Sequence, residues 1–184
     1  MKLKNKSIQI ACDGGASTGK STGARLIAKK YNLKFLSSGL LYRYAAYLML
    51  TNQPKNKINF LKKKFKNLNY RKLEKINLHN QIISEHSAQI AKINKIRNIV
   101  KNFQILFSKK YKNCCIEGRD ISTKILPDSD LKFFFKCNLN TASMRRFKEL
   151  KKIDPKIKLV DVKKALRIRD FSDRRRKNSP LLKH

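Results

Sequence analysis

Residues Gly14–Gly15–Ala16–Ser17–Thr18–Gly19–Lys20–Ser21 satisfy the pattern G-x-x-x-x-G-K-[ST] without a mismatch. Ile8–Gln9–Ile10–Ala11–Cys12, just before it, reads as a short buried strand. After it, Ala24, Ile27, Ala28 and Tyr31 recur at i, i+3, i+4 and i+7, the period of a helix packed on a sheet. A strand, a glycine-rich turn and a helix N-terminus together form a cradle for phosphate, with backbone N–H groups and the helix dipole favouring negative charge. Gly14, Gly15, Ala16, Ser17, Thr18, Gly19, Lys20, Ser21 and Thr22 are therefore expected to hold a nucleoside triphosphate. Lys20 would reach the β and γ phosphates, and the Ser21 hydroxyl would ligate Mg²⁺. The plain alternative is a glycine-rich turn that contains Lys-Ser by chance, and the flanking strand and helix argue against it.

Such a cradle serves ATPases, GTPases, kinases and transporters alike. A set of arginines narrows the choice. Arg43 follows the second expected strand, Arg119 follows the third, and Arg169 and Arg176 flank a C-terminal basic stretch. Moving a phosphoryl group between two anions needs cations that neutralise both, and each guanidinium can grip a phosphate bidentately. Any single arginine in so basic a chain could equally be a solvated surface group. Position at strand ends is what sets these apart.

The elements that must carry these residues follow from periodicity. Lys34–Phe35–Leu36 is the second expected strand, and Leu40–Leu50 a helix. Thr51 to about Arg71 is polar, contains Pro54 and reads as a surface insert with a little helix. Leu78, Ile82, Ile83, Ile90 and Ile93 suggest one amphipathic helix. Ile96, Ile99, Val100, Phe103 and Phe107 suggest another, beginning near Asn94–Lys95. Asn113–Glu117 and Leu131–Cys137 are expected as the third and fourth strands, with Asn140 capping a helix to about Lys152. Lys151 to Lys158 is a polar break, a candidate mobile lid, and Leu159 to Arg169 returns to helix. Alternating strands and helices predict an α/β fold with a parallel sheet and ligands at the carboxyl ends of its strands.

Length and composition bound the rest. The 184 residues suffice for one domain with a real core. No apolar stretch approaches the roughly 20 residues of a membrane span. Residues 1–6 run into the first strand without an apolar signal region, so a cytoplasmic location is expected. Cys12, Cys114, Cys115 and Cys137 all fall in expected strands and read as reduced core thiols. His79, His86 and His184 lack ligand spacing. The net charge of +33 favours polyanions, so salt-sensitive nonspecific nucleic-acid binding is expected as a side effect. The lysines are scattered, however, and no aromatic-interleaved RNA-binding motif is visible.

Several blocks carry a family resemblance. Ile10 to Thr22, Phe35–Leu36–Ser37–Ser38–Gly39–Leu40–Leu41–Tyr42–Arg43, Glu117–Gly118–Arg119–Asp120–Ile121–Ser122–Thr123, Pro127 to Phe134, and Arg169–Asp170–Phe171–Ser172–Asp173–Arg174–Arg175–Arg176 stand in that order. The chain resembles the bacterial cytidylate kinases. The resemblance implies a P-loop, nucleoside monophosphate kinase-like architecture in one domain, residues 1–184, lacking the family's last strand and terminal helix. Its core would be residues 1–50 and 111–150, with a monophosphate-binding insert at about 51–110 and a lid at about 151–176. The implied reaction moves the ATP γ-phosphoryl to CMP or dCMP with Mg²⁺.

By the same resemblance Ser38, Arg43, Arg97, Arg119, Asp120, Arg169 and Asp173 would bind CMP. Arg97 and Asp120 would read cytosine, and Asp173 with Arg169 would hold the ribose. Lys20, Arg119, Arg169 and Arg176, with Arg145 or Arg146, would serve the transferred phosphate. Ser21 and Glu117 would face the Mg²⁺. Three departures stand out. Ala88 replaces a base-contacting serine beside Ser87, Ser37 replaces a usual aspartate, and the stop at His184 is expected to leave a sheet edge open or covered by a partner or by self-association. A monomer is expected unless that edge is covered. The rival readings are a P-loop kinase for another nucleotide or metabolite, a basic nucleic-acid-binding protein with a vestigial ATP site, and an inactive fragment.

Overall fold

Four short runs rich in β-branched, aromatic and thiol side chains form one parallel sheet. In the computed structural model, which describes residues 7–184, these are β1 (Gln9–Gly14), β2 (Lys34–Ser37), β3 (Cys114–Gly118) and β4 (Leu131–Phe135). Their order is β2-β3-β1-β4, with Ile10 registered opposite both Cys115 and Leu131. The winding reverses direction around β1. A crevice therefore opens at the carboxyl ends of β1 and β3, where residues 14–19 and 118–120 leave the sheet. The expectation for residues 1–6 lies outside the described residues.

Seven helices accompany the sheet among the described residues: α1 (Lys20–Lys30), α2 (Ser38–Asn52), α3 (Lys57–Lys66), α4 (Gln81–Ile90), α5 (Asn94–Lys110), α6 (Leu139–Lys151) and α7 (Leu159–Arg175). A 3-10 turn, Tyr70–Lys75, precedes α4, and a π-turn, Ile121–Ile125, follows β3. Strand alternation divides the core by face. Ala11 and Ile116 join Leu41, Leu61, Ile96 and Val100 beneath α2, α3 and α5. Ile10, Cys12 and Cys115 meet Ala24 and Ala28 of α1 on the other face. A third, smaller cluster of Ala16, Ala142, Leu150, Val162 and Leu166 packs α6 and α7 against the phosphate loop.

Several local expectations are corrected. The fourth strand ends at Phe135, so half-buried Cys137 lies beyond it. Among the described residues β4 has a neighbour on one side only, and Leu131 and Phe133 stay 45% and 39% exposed. Asn138, still extended, caps α6 by accepting the Thr141 N–H at 2.8 Å, whereas Asn140 is already helical. Ile82 lies on the solvent side of α4, whose buried face is Ile83, Ser84, Ser87 and Ile90, and Ile93, exposed past the end of α4, becomes the residue before α5. Tyr31 likewise ends α1 rather than packing under it. All four cysteines are free thiols, with Cys12 and Cys115 facing each other across β1 and β3 at 3.8 Å.

Candidate active site

The phosphate loop is shaped by its own backbone requirements. Gly19 stands at φ 84°, a left-handed conformation that glycine adopts without strain, and it hands the chain to α1. Thr18 Oγ1 donates to the Gly15 carbonyl at 3.1 Å, closing the loop on itself. Gly23, one turn into α1, lets the helix lie against β4, since a Cβ there would sit 2.5 Å from the Phe135 ring. Lys20 points back into the cavity, its Nζ 3.6 Å from Glu117 Oε2 at the end of β3. Burial and the nearby Arg119 lower its pKa to about 8.

Glu117 is fully enclosed, and burial opposes its charge. Lys20 and a 2.5 Å hydrogen bond donated by Ser37 Oγ nevertheless hold its pKa below the ordinary value. Ser37 also caps α2 by accepting the Leu40 N–H, so one hydroxyl both opens that helix and braces the carboxylate. Ser21, at the start of α1, lines the same cavity as this carboxylate. One hydroxyl and one carboxylate beside a phosphate cradle fit Mg²⁺, which keeps waters and substrate phosphates in most of its coordination sites. No group of three or more His, Cys, Asp and Glu that could hold a metal by themselves occurs among the described residues.

Beyond β3, Arg119 and Asp120 are fixed by a residue that sequence reasoning passed over. Asp13, at the end of β1, accepts the Ile121 N–H at 2.8 Å, the Ser122 N–H at 2.8 Å and the Ser122 hydroxyl at 2.6 Å. Burial raises its pKa even against these three bonds. The π-turn is thus pinned to the central strand, and the two preceding side chains are aimed at the crevice. Asp13 sits directly before the glycine-rich pattern, but the distant turn that it anchors is invisible in the sequence.

The charged groups then form a connected chain. Arg97 from α5 pairs with Asp120 at 2.5 Å and donates a second bond to the Ala91 carbonyl. Arg176, just past α7, lies 4.0 Å from Asp120 and 3.2 Å from Asp173. Asp173 accepts from Arg119 Nε at 2.9 Å, and Arg119 donates in turn to the Gly14 carbonyl at 2.8 Å. Burial is the leading influence on Arg169 as well, pushing its pKa down to about 10. The Nε of Arg43 is buried without a hydrogen-bond partner among the described residues.

These residues enclose a cavity of about 420 Å³. Lys20, Ser21, Ser38, Arg43, Arg97, Glu117, Arg119, Asp120, Arg169, Asp173 and Arg176, proposed from sequence, all line it, together with Ala16 and Ser17. Gly14, Gly15, Thr18, Gly19 and Thr22 do not, because they shape the loop behind it. Seven Lys and Arg side chains face four carboxylates in the lining, an excess of positive charge suited to phosphates. Arg146 reaches the lining paired with Glu149 at 3.0 Å, whereas Arg145 stays outside near Cys137. Tyr42, unassigned in the sequence, sits beneath the Arg97 guanidinium at 5.7 Å. Ser87 lines the cavity as Ala88 does, but its hydroxyl donates to the Ser84 carbonyl.

Comparison with known proteins shows the family. The cytidylate kinase family model matches residues 10–184. Cytidylate kinases of Mesomycoplasma hyopneumoniae strain 232 and Bartonella tribocorum are each 35% identical to the chain, over 97% and 96% of its length and 83% and 82% of theirs. That of Clostridium botulinum strain Hall is 34% identical, over 95% of this chain and 85% of its own. A crystal structure of an uncharacterized protein from Eubacterium ventriosum shares the fold, with a TM-score of 0.53 and 15% identity, over 95% of this chain and 80% of that one. With its phosphate loop, guanidinium-lined crevice and family match across nearly the whole length, this chain belongs to the cytidylate kinase family.

Proposed function

We propose that the protein transfers the γ-phosphoryl group of ATP to the phosphate of CMP and dCMP, giving ADP and the corresponding diphosphate. The observation that carries this reading is a single cavity shared by the phosphate-loop lysine and by six arginines from five separate segments of the fold. ATP would lie with its β and γ phosphates on residues 14–22. Bound Mg²⁺, held through Ser21 and the water shell near Glu117, would offset charge on the ATP oxygens. Lys20, Arg119, Arg169 and Arg176 would stabilise the charge that spreads over the transferred group. No general base is needed, since an acceptor phosphate oxygen is already anionic.

On the acceptor side, Ser38, Arg43 and Arg119 would bind the CMP phosphate, and Asp173 with Arg169 the ribose. The Arg97–Asp120 pair would face cytosine, its carboxylate accepting from the exocyclic amine and its guanidinium donating to the carbonyl. Residues 51–110 would form the monophosphate-binding insert and residues 151–176 the lid, which excludes water from the transfer. No helix among the described residues is long and apolar enough to cross a membrane.

The test is ADP release with CMP, dCMP, UMP and AMP offered as acceptors. Release stimulated most by CMP and dCMP is expected. Release indifferent to all four acceptors would overturn the kinase reading, and preference for AMP would overturn the base assignment.

A further inference from the structure

Helix α7 sends Arg169, Asp173 and Arg176 toward the cavity, yet Asp170, adjacent to Arg169, is absent from its lining. Its carboxylate turns to the phosphate loop instead. Oδ1 accepts the Ala16 N–H at 2.9 Å, and Oδ2 lies 2.6 Å from the point where a Cβ on Gly15 would sit. Gly15 is not among the glycines with positive φ, so backbone conformation does not demand it. What it provides is room for a carboxylate.

We propose that Asp170 is a positioning residue that latches α7 to the phosphate loop and thereby sets where Arg169 and Asp173 stand in the phosphoryl transfer. This deepens the kinase reading and rests on it. A charge-assisted bond from a backbone N–H fixes a helix both along and around its axis at that point. Arg169 lies one residue before the latch, and Asp173 one turn after it. Asp173 then holds Arg119, which donates to the Gly14 carbonyl. The helix therefore grips the loop twice, directly at Ala16 and through Arg119 at Gly14. Leu166 and Val162 pack beside Ala16 and close the apolar side of the same contact. The ring ties the ATP-binding loop to the ribose-binding carboxylate, so that order in one fixes the other.

A double-mutant cycle tests the latch in the full-length protein with ATP and CMP. Asp170→Ala is expected to lower kcat by about tenfold while shifting Tm by only a few degrees. Asp170→Asn, whose carbonyl can still accept from Ala16, should keep kcat within about threefold of the parent. Gly15→Ala should cost about tenfold in the parent but less than about twofold beside Asp170→Ala, because its new methyl no longer meets a carboxylate. Hydrogen exchange at the phosphate-loop amides gives an activity-free readout: faster at Ala16 in Asp170→Ala, near parental in Asp170→Asn. Parental kcat in Asp170→Ala, equal damage from Gly15→Ala in both backgrounds, or an asparagine as harmful as alanine would each overturn the latch. An unmodified protein that releases no ADP with CMP refutes the kinase reading alone, and the exchange result still decides the latch.

Discussion

Lys20 shows how a single side chain can set a pH limit. Burial and Arg119 bring its pKa to about 8, from an ordinary value near 10.5. Below about pH 8 the free protein therefore presents a cation to phosphate, and above it a neutral amine. The value of kcat/KM for ATP should fall by about tenfold per pH unit beyond that point. Bound phosphates favour the charged form, so kcat at saturating ATP should hold to higher pH. The stability effect has the opposite slope. Between about 8 and 10.5 the unfolded chain holds more protons at this site, so Lys20 makes stability rise with pH there. A kcat/KM profile that stays flat to pH 9.5 would exclude Lys20 as the cation that greets ATP. Motif spacing and strand ends marked Lys20, Ser21, Arg43 and Arg119 in the sequence, and the family resemblance added Ser38, Arg97, Asp120 and Asp173. Neither gave Asp13, Tyr42 or Asp170 a role, since each acts through a partner 55 to 154 positions away.

At the scale of elements, helix–strand contact controls how the phosphate loop is held. Gly23 permits α1 to approach β4, and a methyl there would collide with the Phe135 ring. Gly23→Ala should destabilise the fold by about 1–3 kcal/mol, as overpacking in a well-filled core does. Pairing it with Phe135→Leu should recover part of that loss, measured by chemical denaturation. Additive losses in the double variant would show that the ring is not the obstacle. Helical periodicity located α5 well, because Ile96, Ile99, Val100 and Phe107 do meet the core. It overextended the apolar face of α4 to Ile93, because period counting ignores where a helix must stop to let the chain turn, and to Ile82, which sits one residue off the buried face.

For the whole molecule, the net charge of +33 is the dominant long-range property. A groove of about 1300 Å³ between α3, the 3-10 turn and α5 concentrates part of it, away from the active-site cavity. Lys62, Lys66, Arg71, Lys95 and Lys110 line that groove with no carboxylate among them, beside Tyr70 and Tyr111. Binding of single-stranded oligonucleotides should weaken with salt, with a log–log slope of about −3 to −4 if these five cations meet phosphates. Reversing the charge of Lys62 and Lys66 should flatten that slope, and an unchanged slope would rule the groove out as the contact surface. Neither outcome bears on CMP phosphorylation.

Local chemistry already written in the chain marked the phosphate-loop motif, the parallel α/β class and the arginines expected to serve phosphates. Each of these depends on residue type, short spacing or two periodicities, and none needs a distant partner to be recognised. Folding supplied the strand order, the crevice and the linkage Arg97–Asp120–Arg176–Asp173–Arg119, whose members come from three stretches of chain. It also turned Asp170 away from the cavity and onto Ala16. Such pairings arise when long loops close and helices settle against a sheet, and short-range pattern carries no record of that geometry.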